Sequence, residues 1–246
     1  MPTGLPSWIQ AQHLSEPALL QFRNSFQRHP ARLLILKDFL QESIALRLSE
    51  FLKQEADFAI AHGLYSAEDQ AIDDTAWSRA DENDKFFRFS KLVGVMPKHA
   101  LSPNALTYLR FRQSFQSHDV RNYFSQLCGF SLGWSDSFGC HSMKAGDFLK
   151  LHDDNGRNRK LALVFYLTPG WQSCFGGALT VVSADGHETR IEAEYNSMVA
   201  FDVTAGSKHF IEAITPRAGS AARLTISGWY LKDGSECTER PYPSAE

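Results

Sequence analysis

The sequence is poor in the features that would betray a specialised class. It has four cysteines in 246 residues, Cys128, Cys140, Cys174 and Cys237, with no CxxC pairing. So few thiols in so long a chain do not make a disulfide framework, and reduced cysteines in a cytoplasmic protein are expected. No apolar run approaches the ~20 residues that span a bilayer, so no membrane partner is expected. The opening MPTGLPSWIQAQHLSE has no basic segment followed by an apolar one, and no secretory signal is read there. An excess of one charge is missing as well. With 25 Lys+Arg against 28 Asp+Glu, interspersed to a net charge of -3, there is no electrostatic footprint for a phosphate backbone, which speaks against nucleic acid as a direct substrate. Internal repeats and low-complexity tracts are also lacking.

What is present is an ordinary globular composition, 43% hydrophobic and 22% charged, in a length that suits one domain over residues 1–246. Residues 1–32 carry helical periodicity with polar breaks, and Pro17 suits a first helical turn. ARLLILKDFL (31–40) reads as a strand. Ile44, Leu48, Phe51 and Leu52 then repeat at helical spacing. From Tyr65 to Lys91 neither period is sustained, so a long loop with short strand ends is expected there, either as a functional cover or as a solvated acidic excursion. Its acidic members include Glu68, Asp69, Asp73 and Asp74, and Phe86, Phe87 and Phe89 read equally as the start of a core strand. Residues 103–128 read as two helical turns or helices, which completes a helical supporting layer and substrate loop over about 1–128. From 129 to 232 short strands dominate, at 136–143, 147–153, 160–168, 177–183, 188–193, 197–203, 208–214 and 223–231. Eight such strands predict a mainly β protein with supporting helices, a double-sheet jelly roll behind an N-terminal helical layer. Residues 233–246 read as a poorly ordered tail.

The chemistry is concentrated in GDFLKLHDDNGRNRKLALVFYLTPGWQSCFGGALTVV (146–182). Residues two apart in a strand share a face, so His152 and Asp154 can present an imidazole nitrogen and a carboxylate oxygen to one ion, while Asp153 points the other way. A third ligand is needed downstream, and His209 in SKHFIEAI is the best candidate. His141 and His187 are not read as ligands. Alternation along RLTISGWYL sets Arg223, Thr225, Ser227 and Trp229 on one face and Leu224, Ile226 and Tyr230 on the other. An Arg on a core-like face calls for an anionic partner. His-x-Asp, a distant His and then this Arg form a 2-His-1-carboxylate arrangement with an oxo-acid anchor, the pattern of non-heme Fe(II) oxygenases. Gly176-Gly177 reads as architectural, allowing a tight turn or close backbone approach.

The ordered set HDD, FYL, GG, distal His and RLTISGW resembles the Fe(II)/2-oxoglutarate-dependent oxygenases of the prolyl-hydroxylase group. The likeness is nearest to the branch acting on a prolyl residue of a small-subunit ribosomal protein, and it runs over roughly 138–231, more weakly back to residue 33. The resemblance implies Fe(II) at His152, Asp154 and His209, 2-oxoglutarate as co-substrate with ascorbate as an auxiliary reductant, and O2 and a polypeptide with a target proline as partners. It assigns the distal carboxylate of 2-oxoglutarate to Arg223, with the Tyr166 hydroxyl as a second donor and Thr225 able to add a hydroxyl; Tyr166 also reads as an ordinary core tyrosine. Relatives often carry a Tyr nine residues before HxD, where this chain has Met143. Three other readings stand beside this one: the same chemistry on a free amino acid or peptide metabolite, a non-catalytic cupin-like metal-binding protein, and a nucleic-acid demethylase. Cupins use HxH with a following Glu, which HDDNGRN lacks. The demethylases carry a second Arg soon after the first, which is missing between Arg223 and Lys232.

Overall fold

A computed structural model describes residues 4–67, 72–99 and 102–235. In chain order the main elements are α1 (Glu16–Arg28), β1 (Leu33–Leu36), α2 (Glu42–Glu50), β2 (Ala56–Leu64), α3 (Asp74–Arg79), β3 (Lys85–Val95), α4 (Pro103–Ser114), α5 (His118–Cys128), β4 (Leu132–Met143), β5 (Phe148–His152), β6 (Arg159–Tyr166), β7 (Leu179–Val182), β8 (Glu188–Ile191), β9 (Ser197–Asp202), β10 (Lys208–Ile211) and β11 (Arg223–Lys232). The helices begin where short polar side chains satisfy exposed backbone donors. The Ser15, Ser102 and Ser117 hydroxyls accept from the N–H of Ala18, Ala105 and Val120, and Pro17 and Pro103 occupy first-turn positions. Gly129, at φ 79°, ends α5 in the left-handed conformation.

The strands form one curled antiparallel sheet in the order β1-β9-β6-β11-β4-β3-β5-β10-β7-β8, with β2 on the outer edge of β3. This is the mainly β, double-stranded β-helix architecture the strand pattern predicts. Alternation divides its two faces. On β6, Leu161, Leu163 and Phe165 pack with Phe26, Phe51, Phe111 and Phe124 of the helical layer. Ala162 and Tyr166 belong instead to the interior cluster with Leu179, Val181, Val199 and Phe201. The same holds on β11, where Leu224, Ile226 and Tyr230 face the helices. No helix among the described residues is long and apolar enough to cross a membrane.

The stretch from 65 to 91 departs from the expected long loop. A short turn at Tyr65–Ala67 is followed by α3, capped by the Asp73 carboxylate on Ala76 N–H (2.7 Å), and then by β3, which starts at Lys85. Phe86, Phe87 and Phe89 therefore open a strand. β3 bridges the sheet, pairing with β4 through Ser90 and Lys91 and with β5 through Phe87 and Arg88. Periodicity conceals it because both of its faces are partly covered, by partners remote in sequence, so hydrophobic and charged residues do not alternate. β2 escapes notice for a related reason: as an edge strand it leaves Asp57, Ala59 and Ile60 exposed. Glu68 and Asp69 lie outside the described residues, as do Cys237 and the rest of the expected tail from residue 236.

Candidate iron and co-substrate site

His152 ends β5, and the antiparallel pairing of β10 with β5 sets His209 directly opposite it. Their rings lie 4.1 Å apart, centre to centre. Asp154, two residues past His152, completes the group: His152 Nε2 is 3.8 Å from Asp154 Oδ1 and His209 Nε2 is 3.4 Å from Asp154 Oδ2. One donor atom from each of the three residues lies within 4.8 Å of the other two. His152 Nδ1 donates to the Lys150 carbonyl at 2.9 Å, which turns Nε2 towards its neighbours. Burial, reinforced by His152, holds His209 well below the usual histidine range, at about 3 despite the opposing Asp154, so its lone pair is available to a cation. Asp153 is exposed, accepts from Asn155 N–H at 3.2 Å, and stays outside the cluster.

Two residues steady Asp154. Trp229 Nε1–H donates to Oδ2 at 3.0 Å, and Arg159 Nη1–H donates to Oδ1 at a longer 3.4 Å. The Arg159 guanidinium is stacked 3.6 Å from the centre of the Trp229 ring. Sequence reasoning placed Trp229 on the correct face but assigned it no task, and it missed Arg159; neither contact has a local signature. Trp229→Phe keeps the platform for Arg159 and deletes one hydrogen bond to the carboxylate. Outer-shell losses of this kind cost roughly 10–100-fold in metal affinity. We expect that weakening in a Mn(II) titration; affinity equal to wild type would show that Trp229 does not orient the ligand.

Beneath the three residues lies a cavity of about 260 Å³, walled in part by Phe87, Phe89, Met143, Leu149, Arg223 and Thr225. Arg223 is 1% exposed. Among the described residues its Nη1 has the Met143 sulfur as hydrogen-bond partner, at 3.7 Å, and its Nε and Nη2 have none. Burial lowers the guanidinium's proton affinity from the usual arginine range, so the charged form is held at a cost that an anion in the cavity would relieve. Tyr166 is not on the cavity wall. Its ring lies 4.9 Å from the Arg223 guanidinium carbon, its buried hydroxyl has no hydrogen-bond partner among the described residues, and burial raises its pKa so that it remains a protonated donor. Gly177, at φ +74°, passes so close to Arg223 that an added Cβ would meet Cδ at 2.9 Å and Ile214 Cδ1 at 2.5 Å. Its lack of a side chain makes room for the arginine. The donor set of two imidazoles and a carboxylate suits Fe(II), and the unpaired guanidinium donors suit a carboxylate co-substrate.

Residues 138–231 match the family model described as the 2OG-Fe(II) oxygenase superfamily. That family uses Fe(II) and 2-oxoglutarate. Among proteins of known name, the chain is 30% identical over 129 residues to prolyl 3-hydroxylase OGFOD1 of Mus musculus, covering 50% of this chain and 23% of that protein. It is 27% identical over 179 residues to prolyl 3-hydroxylase sudestada1 of Drosophila melanogaster, covering 68% and 32% respectively. The match therefore spans only about a quarter to a third of the length of these relatives. The fold is shared with a Pseudomonas putida prolyl-4-hydroxylase, at a TM-score of 0.56 and 19% identity over 88% of this chain and 100% of that one. It is shared too with a Trichoplax adhaerens prolyl hydroxylase solved with a hypoxia inducible factor peptide fragment, at 0.58 and 14% over 92% and 99%.

Proposed function

We propose that this protein is an Fe(II)/2-oxoglutarate-dependent dioxygenase that hydroxylates a prolyl residue of a protein substrate, ribosomal or translation-related. The observation that carries this reading is the buried Arg223, with two unpaired guanidinium donors, in the same cavity as His152, Asp154 and His209. His152, Asp154 and His209 would hold the iron, with Trp229 and Arg159 keeping the carboxylate in place. Arg223 would hold the distal carboxylate of 2-oxoglutarate, Tyr166 supporting the guanidinium and Thr225 adding a hydroxyl beside it. When bound, the iron and co-substrate supply the oxidation: O2 and 2-oxoglutarate yield succinate and CO2, and one oxygen atom enters a ring C–H bond as a hydroxyl. The apolar wall of Phe87, Phe89 and Leu149 keeps water from this chemistry.

The preference for a polypeptide over a free amino acid rests on the outer side of the site. A surface groove of about 560 Å³ opens over His152 and Asp154, flanked by Tyr65, Phe86, Leu151 and Arg157. Tyr65 and Phe86 stack at 4.8 Å, and Phe86 meets His152 edge-on at 5.2 Å, which offers ring faces to a proline beside the iron. The names of the relatives point the same way. A cytosolic setting is part of the proposal, since Cys128, Cys140 and Cys174 are all free thiols. The direct test is incubation with Fe(II), 2-oxoglutarate and ascorbate, followed by mass spectrometry of ribosomal proteins from cells lacking the gene. A gain of one oxygen on a prolyl residue, with matching succinate, is expected. Succinate release driven by free proline or short peptides alone would instead select the metabolite reading.

The segment before β3 makes a separate prediction. Trp77 of α3 stacks on His62 at 4.6 Å, but α3 has only one and a half turns and its six residues include no buried one. Residues 72–84 are proposed as part of the cover that the 65–91 stretch makes over the iron site, and hydrogen exchange there is expected to slow when a prolyl peptide binds. Equal, strong protection in the free enzyme would make the segment a fixed wall.

A further inference from the structure

Met143 itself brings no strong donor to the arginine end of the cavity, because a thioether offers only a weak acceptor. The strand register shows what stands beside it. Thr225 is opposite Tyr166 on β6 and opposite His141 on β4, while Arg223, two residues along on the same face, is opposite Met143. Antiparallel neighbours sit about 5 Å apart, so Tyr166 and His141 flank Thr225 in a single row. Of the two, His141 lies on the cavity wall. Its ring is fixed from two sides: Nδ1 is 3.2 Å from the Ser227 hydroxyl, and Phe89 packs edge-on at 5.2 Å. Nε2 makes no hydrogen bond among the described residues.

We infer that His141, oriented by Ser227, is a second co-substrate-binding residue, its Nε2–H donating to 2-oxoglutarate from the strand that carries Met143. The assignment rests on the proposed reading of the cavity as the 2-oxoglutarate site. With the Ser227 hydroxyl donating to Nδ1, the ring proton resides on Nε2. Burial, together with nearby Lys91 and Arg223, lowers the His141 pKa to about 4, so the ring is a neutral donor at ordinary pH. A neutral donor adds a directed contact without placing another full charge beside Arg223, which would repel it.

The test is calorimetric titration of 2-oxoglutarate into the full chain loaded with Mn(II), which binds without turnover. His141→Phe is expected to weaken 2-oxoglutarate about tenfold while leaving Mn(II) affinity and the melting temperature near wild type. His141→Gln, which keeps a donor, should recover most of the loss, and Ser227→Ala should weaken binding a few-fold by freeing the ring. Wild-type affinity in His141→Phe overturns the assignment. If that variant does not fold, wild-type affinity in Ser227→Ala does so instead. Arg223→Met in parallel separates the two levels. Loss of binding there with none in His141→Phe sinks His141 alone, and retention there sinks the reading of the cavity itself.

Discussion

Asp154→Ala is expected to abolish turnover and weaken Mn(II) or Fe(II) by more than about a hundredfold, beyond the range typical of outer-shell residues, whereas Asp153→Ala keeps most of both. The two carboxylates are adjacent in sequence but lie on opposite sides of the chain. Asp154 is within 4 Å of both imidazoles and is held by Trp229. Asp153 is spent on the turn that follows, on Asn155 N–H. Removing Asp154 also leaves only two imidazoles of the cluster to hold a divalent ion, and two ligands hold it poorly. Metal titration and succinate release measure the two effects separately. If Asp153→Ala proves the inactive variant and Asp154→Ala retains metal, the assigned register of the β5 end is wrong.

Arg223→Met is expected to raise the apparent KM for 2-oxoglutarate by roughly two orders of magnitude, the loss of a few kcal/mol from one charge-assisted, bidentate contact. Its effect on the protein without ligand should run the other way. Arg223 is buried with two donors unpaired, and replacing such a charge by an apolar chain of similar length is often neutral or stabilising. The melting temperature of the ligand-free variant should therefore equal or exceed that of wild type. Added 2-oxoglutarate should raise the melting temperature of the metal-loaded wild type by mass action and leave that of the variant unmoved. A variant that keeps its 2-oxoglutarate affinity would move the anchor elsewhere in the cavity. One that merely unfolds would show that the charge is satisfied in a way the free donors do not reveal.

Much of this site could be read directly from the chain. Two-residue alternation is a local property of a strand, so HDD alone placed His152 and Asp154 together and turned Asp153 away. The same rule set Arg223 and Thr225 against Leu224 and Ile226, and those four residues do divide between cavity and helical core. The strand run from 129 to 232 was legible for the same reason. The stretch from 56 to 95 was not. β2 is an exposed edge, and β3 has both faces partly covered, Phe87 and Phe89 in the cavity cluster and Leu92 against the helical-layer core, so neither presents a clean period.

What the sequence by itself determined was the set of chemical groups and the face each would take: an imidazole and a carboxylate sharing one side at the end of β5, and an arginine on the inner side of β11. Composition and strand spacing also settled the mainly β architecture. Only the tertiary structure decided which groups meet. The pairing of β10 with β5 selects His209 from nine histidines, and the seating of β11 between β4 and β6 brings Tyr166 and His141 to either side of Thr225. It also places Trp229 against Asp154 and turns an expected loop into the aromatic wall of β3. The reason is physical: alternation is fixed by the local pleat of the backbone, whereas cross-strand neighbours follow from how the whole sheet closes to bury its apolar faces.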